Sequence, residues 1–181
     1  MSASAITLVR VGKSLAVHLV FAGLLYGLAL YVMGNFDNAS LTMREQYDSN
    51  EVLQLLGAAR SKLIGWYMLA LAFSWLLSSL FLAISQRRMA VVRGHAEARR
   101  SMPLWIVLFV LVIAVTGFVF WRQVSLTDVA QMLLDSKYLL LTTIGFVVPM
   151  IAYWLACGLA VTITLKPAVP MAESLLPEFW N

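Results

Sequence analysis

The chain has few charged residues and a single cysteine. Asp, Glu, Lys and Arg make up 12% of its 181 residues, against about 25% in an ordinary soluble domain. Because 61% of the residues are hydrophobic, so few charges could not cover the surface of a soluble protein of this size. This composition excludes a disordered chain, which needs low hydrophobicity and high charge. The lone Cys157 excludes a disulfide-stabilised scaffold.

The sequence instead contains four long apolar runs. They cover residues 14–33, 63–84, 104–121 and 139–165, and each reaches the ~18 residues typical of a membrane span. In lipid an isolated span must satisfy its own backbone hydrogen bonds, which predicts helices. The first run is longer than the ~7–15-residue core of a signal peptide, which predicts a retained helix. We therefore expect an all-α integral membrane protein, a four-helix transmembrane bundle forming a single polytopic domain.

Short amphipathic helices are predicted in both outer loops. In the first loop Asp48 precedes Glu51 by three residues, as in a capping pair, and an apolar pattern runs from Val52 to Ala59. In the third loop Ser125 precedes Asp128 by three residues, and a further apolar pattern follows. We expect this second helix to lie on the outer membrane surface.

Basic residues are concentrated between the second and third spans. They are Arg87, Arg88, Arg93, Arg99 and Arg100. The positive-inside rule therefore predicts that this loop and both termini lie in the cytoplasm. We expect the membrane to be a bacterial inner membrane. The net charge of +4 then reflects the topology of the chain, and we expect the basic loop to contact lipid headgroups. Docking of an acidic protein remains an alternative, whereas the basic loop lacks the interleaved aromatic residues typical of nucleic-acid binding.

Aromatic residues recur at the ends of the spans. Tyr31, Trp66, Tyr67, Trp121 and Tyr138 stand at the predicted outer ends, and Trp105 stands at an inner end. Such positions are typical of the aromatic belt that anchors helices at membrane interfaces.

No Asp, Glu, Lys or Arg lies within the four runs. Charged residues inside a membrane usually mark proton or ion pathways, so their absence argues against a pump or an ion-driven carrier. His18 is predicted to be an interfacial residue bonded to a carbonyl or a headgroup, with haem or metal ligation as the alternative. Cys157 is predicted to be a small packing residue. We predict no catalytic, cofactor or metal site.

Small residues recur at helical spacing in three of the spans. Gly23 and Gly27 form a G-x-x-x-G pair in the first span. The second span has Ala70, Ser74 and Ser78, and the fourth has Ala152, Ala156 and Ala160. These stripes predict close helix packing, either within the bundle or against another membrane protein or a second copy.

Pro149 lies inside the fourth span and predicts a kink there, as a static bend or as a hinge. Thr142 and Thr143 stand nearby and are predicted to help satisfy the backbone groups that the proline frees.

These features favour a non-enzymatic subunit of an inner-membrane complex, such as secretion, conjugation or envelope machinery, that acts by helix–helix assembly. The alternative is a small oligomeric transporter or channel for a neutral or lipid-like substrate, with its pore formed between copies. An enzyme that uses loop residues is the weakest hypothesis.

Overall fold

The computed structural model describes residues 3–34, 48–88, 98–125, 136–161 and 163–172. Helix α1 spans Ala3–Met33, α2 spans Ser49–Arg88, α3 spans Met102–Phe120 and α4 spans Ser136–Ala160. A π-helical turn, Trp121–Ser125, extends α3, and a 3-10 helix, Ile163–Ala168, follows α4. Each of these four α-helices is long and apolar enough to cross a membrane. The predicted all-helical architecture with four candidate spans is thereby confirmed.

The short helix predicted in the first loop is not separate. Residues from Ser49 onward form the first turns of α2, which runs without interruption for 40 residues. Val52, Leu56 and Ala59 are buried, so the apolar face of these turns continues directly into the bundle core. The Asp48 backbone N–H donates to the Glu51 carboxylate over 3.4 Å, as expected for one half of a capping box.

The other predicted boundaries also shift. The fourth span ends at Ala160 rather than at residue 165, and Lys166 and Pro167 lie in the 3-10 helix after it. The second predicted loop helix falls almost entirely on residues 126–135, outside the described residues.

Helices α2 and α4 form the centre of the bundle, and each packs against both α1 and α3. Two apolar clusters fill the interior. One contains Leu25, Leu63 and Leu71, and the other contains Phe81 and Leu108. Along α2, Leu71 belongs to the first cluster and Leu77 to the second. Ser74 therefore lies at the boundary between them.

The predicted aromatic belt is wrong for four of its members. Trp66, Tyr67, Trp105 and Tyr138 are buried inside the bundle. Only Tyr31 and Trp121 are exposed at the ends of their helices. Two of the four polar tips find backbone acceptors, whereas the buried Trp105 indole nitrogen has no hydrogen-bond partner among the described residues. The Trp66 indole donates to the Thr116 carbonyl over 3.1 Å, and the Tyr67 hydroxyl donates to the Leu141 carbonyl over 2.7 Å.

Candidate functional site

A cluster of polar side chains is buried between α1, α2 and α4. It comprises His18 and Ser14 from α1 together with Ser74 and Ser78 from α2, and it reaches the backbone of α4 at the Pro149 carbonyl. None of the four side chains is more than 4% exposed. We call these four residues and the Pro149 carbonyl the His18 cluster. Buried polar groups in an apolar bundle are costly unless they are hydrogen-bonded, so this cluster fixes how the three helices meet.

The imidazole of His18 bonds at both ring nitrogens. Nδ1 lies 2.8 Å from the carbonyl oxygen of Ser14, one turn earlier on the same helix. A carbonyl can only accept, so Nδ1 must carry a proton. Nε2 lies 2.9 Å from Ser74 Oγ, and this contact joins α1 to α2.

Ser74 is the branch point of the cluster. Its hydroxyl also lies 2.8 Å from the Pro149 carbonyl oxygen, to which it donates. The same oxygen atom thus links α2 to α1 through His18 and links α2 to α4 through Pro149.

A second contact between α1 and α2 lies one turn away. The hydroxyls of Ser14 and Ser78 are 2.8 Å apart. Ser78 Oγ donates to the Trp75 carbonyl over 2.9 Å, so the Ser14 hydroxyl supplies the proton of the contact between the two serines. Ser14 and Ser78 therefore extend the cluster without competing for the Ser74 proton.

The sequence did not indicate Ser14 as a site residue. The predicted bond from His18 to a backbone carbonyl is present, and the ring is buried between helices. Ser74 and Ser78 were predicted as packing residues from their size, whereas their hydroxyls bond across helices. A usable signal was present: Ser14 and His18 are four residues apart, as are Ser74 and Ser78, so each helix presents a polar pair on one face.

The three small-residue stripes differ in their surroundings. Those of α2 and α4 lie inside the bundle: Ala70, Ser74, Ser78, Ala152, Ala156 and Ala160 are all buried. Gly23 and Gly27 on α1 are exposed. No described atom lies within 4 Å of the position that a Cβ on either glycine would occupy. The α1 stripe therefore faces away from the other described helices.

The two glycines belong to a longer outward face of α1. Gly12, Ala16 and Val20 continue the spacing of three or four residues and are also exposed. We call Gly12, Ala16, Val20, Gly23 and Gly27 the glycine face. The opposite side of α1 carries the buried residues Ser14, His18, Leu25, Ala29 and Met33.

An apolar groove lies along the first part of the glycine face. It has a volume of about 430 Å³ and is lined by Gly12, Lys13, Ala16, Val17 and Val20 of α1 and by Leu159 of α4. The groove and the two glycines together give α1 a continuous surface made almost entirely of glycine and aliphatic side chains.

The basic residues at the end of α2 and before α3 are described in part. Arg87, Arg99 and Arg100 are exposed. Arg93 and the side chain of Arg88 lie outside the described residues, so the predicted basic loop is not tested as a unit.

Pro149 lies inside α4, which runs on to Ala160, so its action as a kink or a hinge remains a prediction. The carbonyl of Gly145 cannot receive the usual helical hydrogen bond, because Pro149 has no N–H. The hydroxyls of Thr142 and Thr143 donate to the carbonyls of Tyr138 and Leu139, at 3.5 and 2.8 Å.

Metal binding and nucleophilic catalysis each require a particular arrangement of side chains. They contain no group of three or more His, Cys, Asp or Glu side chains that could hold a metal ion. Ser74 faces an imidazole nitrogen but is fully buried, and Cys157 is buried beside Tyr153 and Trp105 in the second apolar cluster. A nucleophile must reach its substrate, so neither side chain is placed for catalysis in this conformation. No family model, curated protein or solved structure matches this chain.

Proposed function

We propose that this chain is a non-enzymatic, multi-pass subunit of a bacterial inner-membrane complex, joined to a partner membrane protein through the glycine face. The observation that carries the proposal is the open space beside Gly23 and Gly27. In lipid the hydrophobic effect does not drive helices together, so association depends on close backbone approach at small residues.

The contrast between the stripes supports this role. The small residues of α2 and α4 are buried within the bundle, whereas no described atom lies within 4 Å of the Cβ positions of Gly23 and Gly27. Glycine costs about 0.5–1 kcal/mol relative to alanine in the middle of a helix. Two outward glycines therefore weaken α1 unless another helix approaches them.

The partner that fits best is an apolar helix. The glycine face offers no hydrogen-bonding side chain, and its groove is lined by aliphatic residues except at Lys13. A transmembrane helix laid against the two glycines would extend along the groove past Val20 and Ala16, while its cytoplasmic end would meet Lys13.

The proposed orientation follows the charge distribution. Arg10 and Lys13 precede the core of the first span, and the basic residues between α2 and α3 lie on the same side in a four-span arrangement. Under the positive-inside rule that side is cytoplasmic. Both termini and the groove end of the glycine face then lie at the cytoplasmic side.

We expect the double substitution Gly23→Leu and Gly27→Leu to abolish co-purification of the partner. Two leucine side chains would hold the partner backbone away, although the open space lets the chain fold normally. The measurement is pull-down of the tagged full-length protein from native membranes in mild detergent, with quantification of co-purifying proteins.

Gly117→Leu is the matched control, because a Cβ on Gly117 of α3 would also meet no described atom within 4 Å. We expect this variant to retain the partner. If the double variant retains it as well, or if the wild-type chain purifies as a monomer alone, the proposed role is wrong. Capture of only a second copy would instead favour the oligomeric transporter.

A further inference from the structure

When the imidazole is neutral, the His18 cluster has one more hydrogen-bonded contact than it has protons to donate. Five contacts connect it: two at the His18 ring, the Ser74–Pro149 contact, the Ser14–Ser78 contact and the Ser78–Trp75 contact. A neutral imidazole supplies one proton and the three serines supply one each, so one contact lacks a donor.

The contact that lacks a donor is one of the two made by Ser74. Nδ1 holds the ring proton because it faces the Ser14 carbonyl. Nε2 of a neutral ring and the Pro149 carbonyl are then both acceptors, and the Ser74 hydroxyl can satisfy only one of them. With a neutral ring, α2 is bonded through Ser74 either to α1 or to α4.

We propose that His18 is a proton-binding site, and that a second proton on its ring completes the hydrogen bonds joining α1, α2 and α4. The proton moves from a hydronium ion to Nε2 and forms an N–H bond there. Nε2 then donates to Ser74 Oγ, and the Ser74 hydroxyl donates to the Pro149 carbonyl. Every contact in the cluster then has one donor and one acceptor.

The charged groups of the surrounding helices do not supply a counter-charge. On α1 the charged residues after Leu8 are Arg10 and Lys13, and between residues 138 and 160 of α4 there are none. On α2 the nearest charged residues along the chain, Lys62 and Arg87, are more than three turns from Ser74. The only acid of α2, Glu51, is more than six turns away.

The uncharged titratable groups of α4 belong to other parts of the core. Tyr153 and Cys157 lie with Trp105 in the second apolar cluster, and Tyr138 lies in the first. The protonated ring is therefore held by the oxygens of Ser14 and Ser74 rather than by a carboxylate. Binding of the second proton therefore depends on Ser74, which can be tested by substitution. It does not depend on the assembly role proposed above.

The test is nitrogen NMR of the purified full-length protein labelled with 15N-histidine. His95→Gln leaves His18 as the sole histidine, since the sequence contains two. The pH is lowered from about 8 to about 4.5, which brackets the ordinary imidazole titration. We expect one pyridine-like and one pyrrole-like nitrogen at the upper limit and two pyrrole-like nitrogens at the lower limit.

Ser74→Ala in the same background should lower the affinity of His18 for the second proton about tenfold, because the N–H at Nε2 loses its acceptor. Ser79→Ala is the matched control, since Ser79 Oγ is buried on the same helix without a hydrogen-bond partner in the described part of the chain. This variant should titrate like the parent. A pyridine-like nitrogen that persists over the whole range would overturn the proposal. Identical titrations of the Ser74 and Ser79 variants would overturn it equally.

Discussion

Gly145→Ala is expected to destabilise the bundle by about 1–3 kcal/mol or more, the usual cost of overpacking a core. A Cβ at this position of α4 would lie 2.5 Å from Cζ3 and 2.6 Å from Cη2 of Trp66, and it would also meet the ring of Tyr67. Both rings are fully buried. Each is also held by a hydrogen bond from its polar tip to the backbone. Neither ring can move away without losing contacts.

The measurement is reversible unfolding of the purified protein in mixed micelles with increasing denaturing detergent. Gly117→Ala is the control, because its Cβ would meet no described atom within 4 Å. Replacing a helical glycine where space is open removes backbone entropy from the unfolded state, so this variant should be neutral or up to about 1 kcal/mol more stable. Equal effects of the two substitutions would show that α2 and α4 do not pack as described.

Trp66→Ala should have the second large effect, a loss of about 3–5 kcal/mol. Trp66 is 0% exposed, and its ring packs edge-on against Phe120 and Phe146 with centroids 4.8 and 4.9 Å apart. Truncation leaves a cavity where α2, α3 and α4 meet, and it removes the donor to the Thr116 carbonyl.

The same unfolding measurement separates the contribution of ring packing to stability from that of the hydrogen bond. Trp66→Phe keeps much of the ring volume and loses the donor, so its loss should be smaller than that of the alanine variant. Phe118→Ala is the control: this side chain is 60% exposed, and its loss should stay within about 0.5 kcal/mol. A comparable loss at Phe118 and Trp66 would contradict the assignment of Trp66 to the core.

Hydropathy was sufficient to predict the number of long helices and their approximate positions, because the length of an apolar run and the need to satisfy backbone hydrogen bonds leave few alternatives. Helix ends were harder to predict. The turns from Ser49 to Lys62 are polar enough to resemble a separate surface helix. Only their packing reveals that they continue α2, since Val52 and Leu56 are buried by neighbouring helices.

The candidate site was less predictable because it depends on which helices are neighbours. Periodicity shows that Ser14 shares a face with His18 and that Ser74 shares a face with Ser78. It does not show that those two faces meet. For the same reason the three small-residue stripes looked equivalent in sequence, and only the bundle separates the exposed Gly23 and Gly27 from the buried alanines of α4.

The prediction that four aromatic residues lie at membrane interfaces was wrong for a related reason. A tryptophan at the end of an apolar run is equally suited to an interface and to a core in which its N–H finds an acceptor. The Thr116 carbonyl that accepts from Trp66 is 50 residues away along the chain. No local pattern could have indicated that contact.

The central claim is that the glycine face of α1 contacts another membrane protein. Its most direct test is a photo-reactive amino acid placed at Val20 in the full-length chain and activated in native membranes. Val107 on α3 is the matched position, because the two valines are 62% and 63% exposed. We expect a discrete protein adduct from position 20 and none from position 107. The absence of an adduct at position 20, or the same adduct from both positions, would contradict the claim.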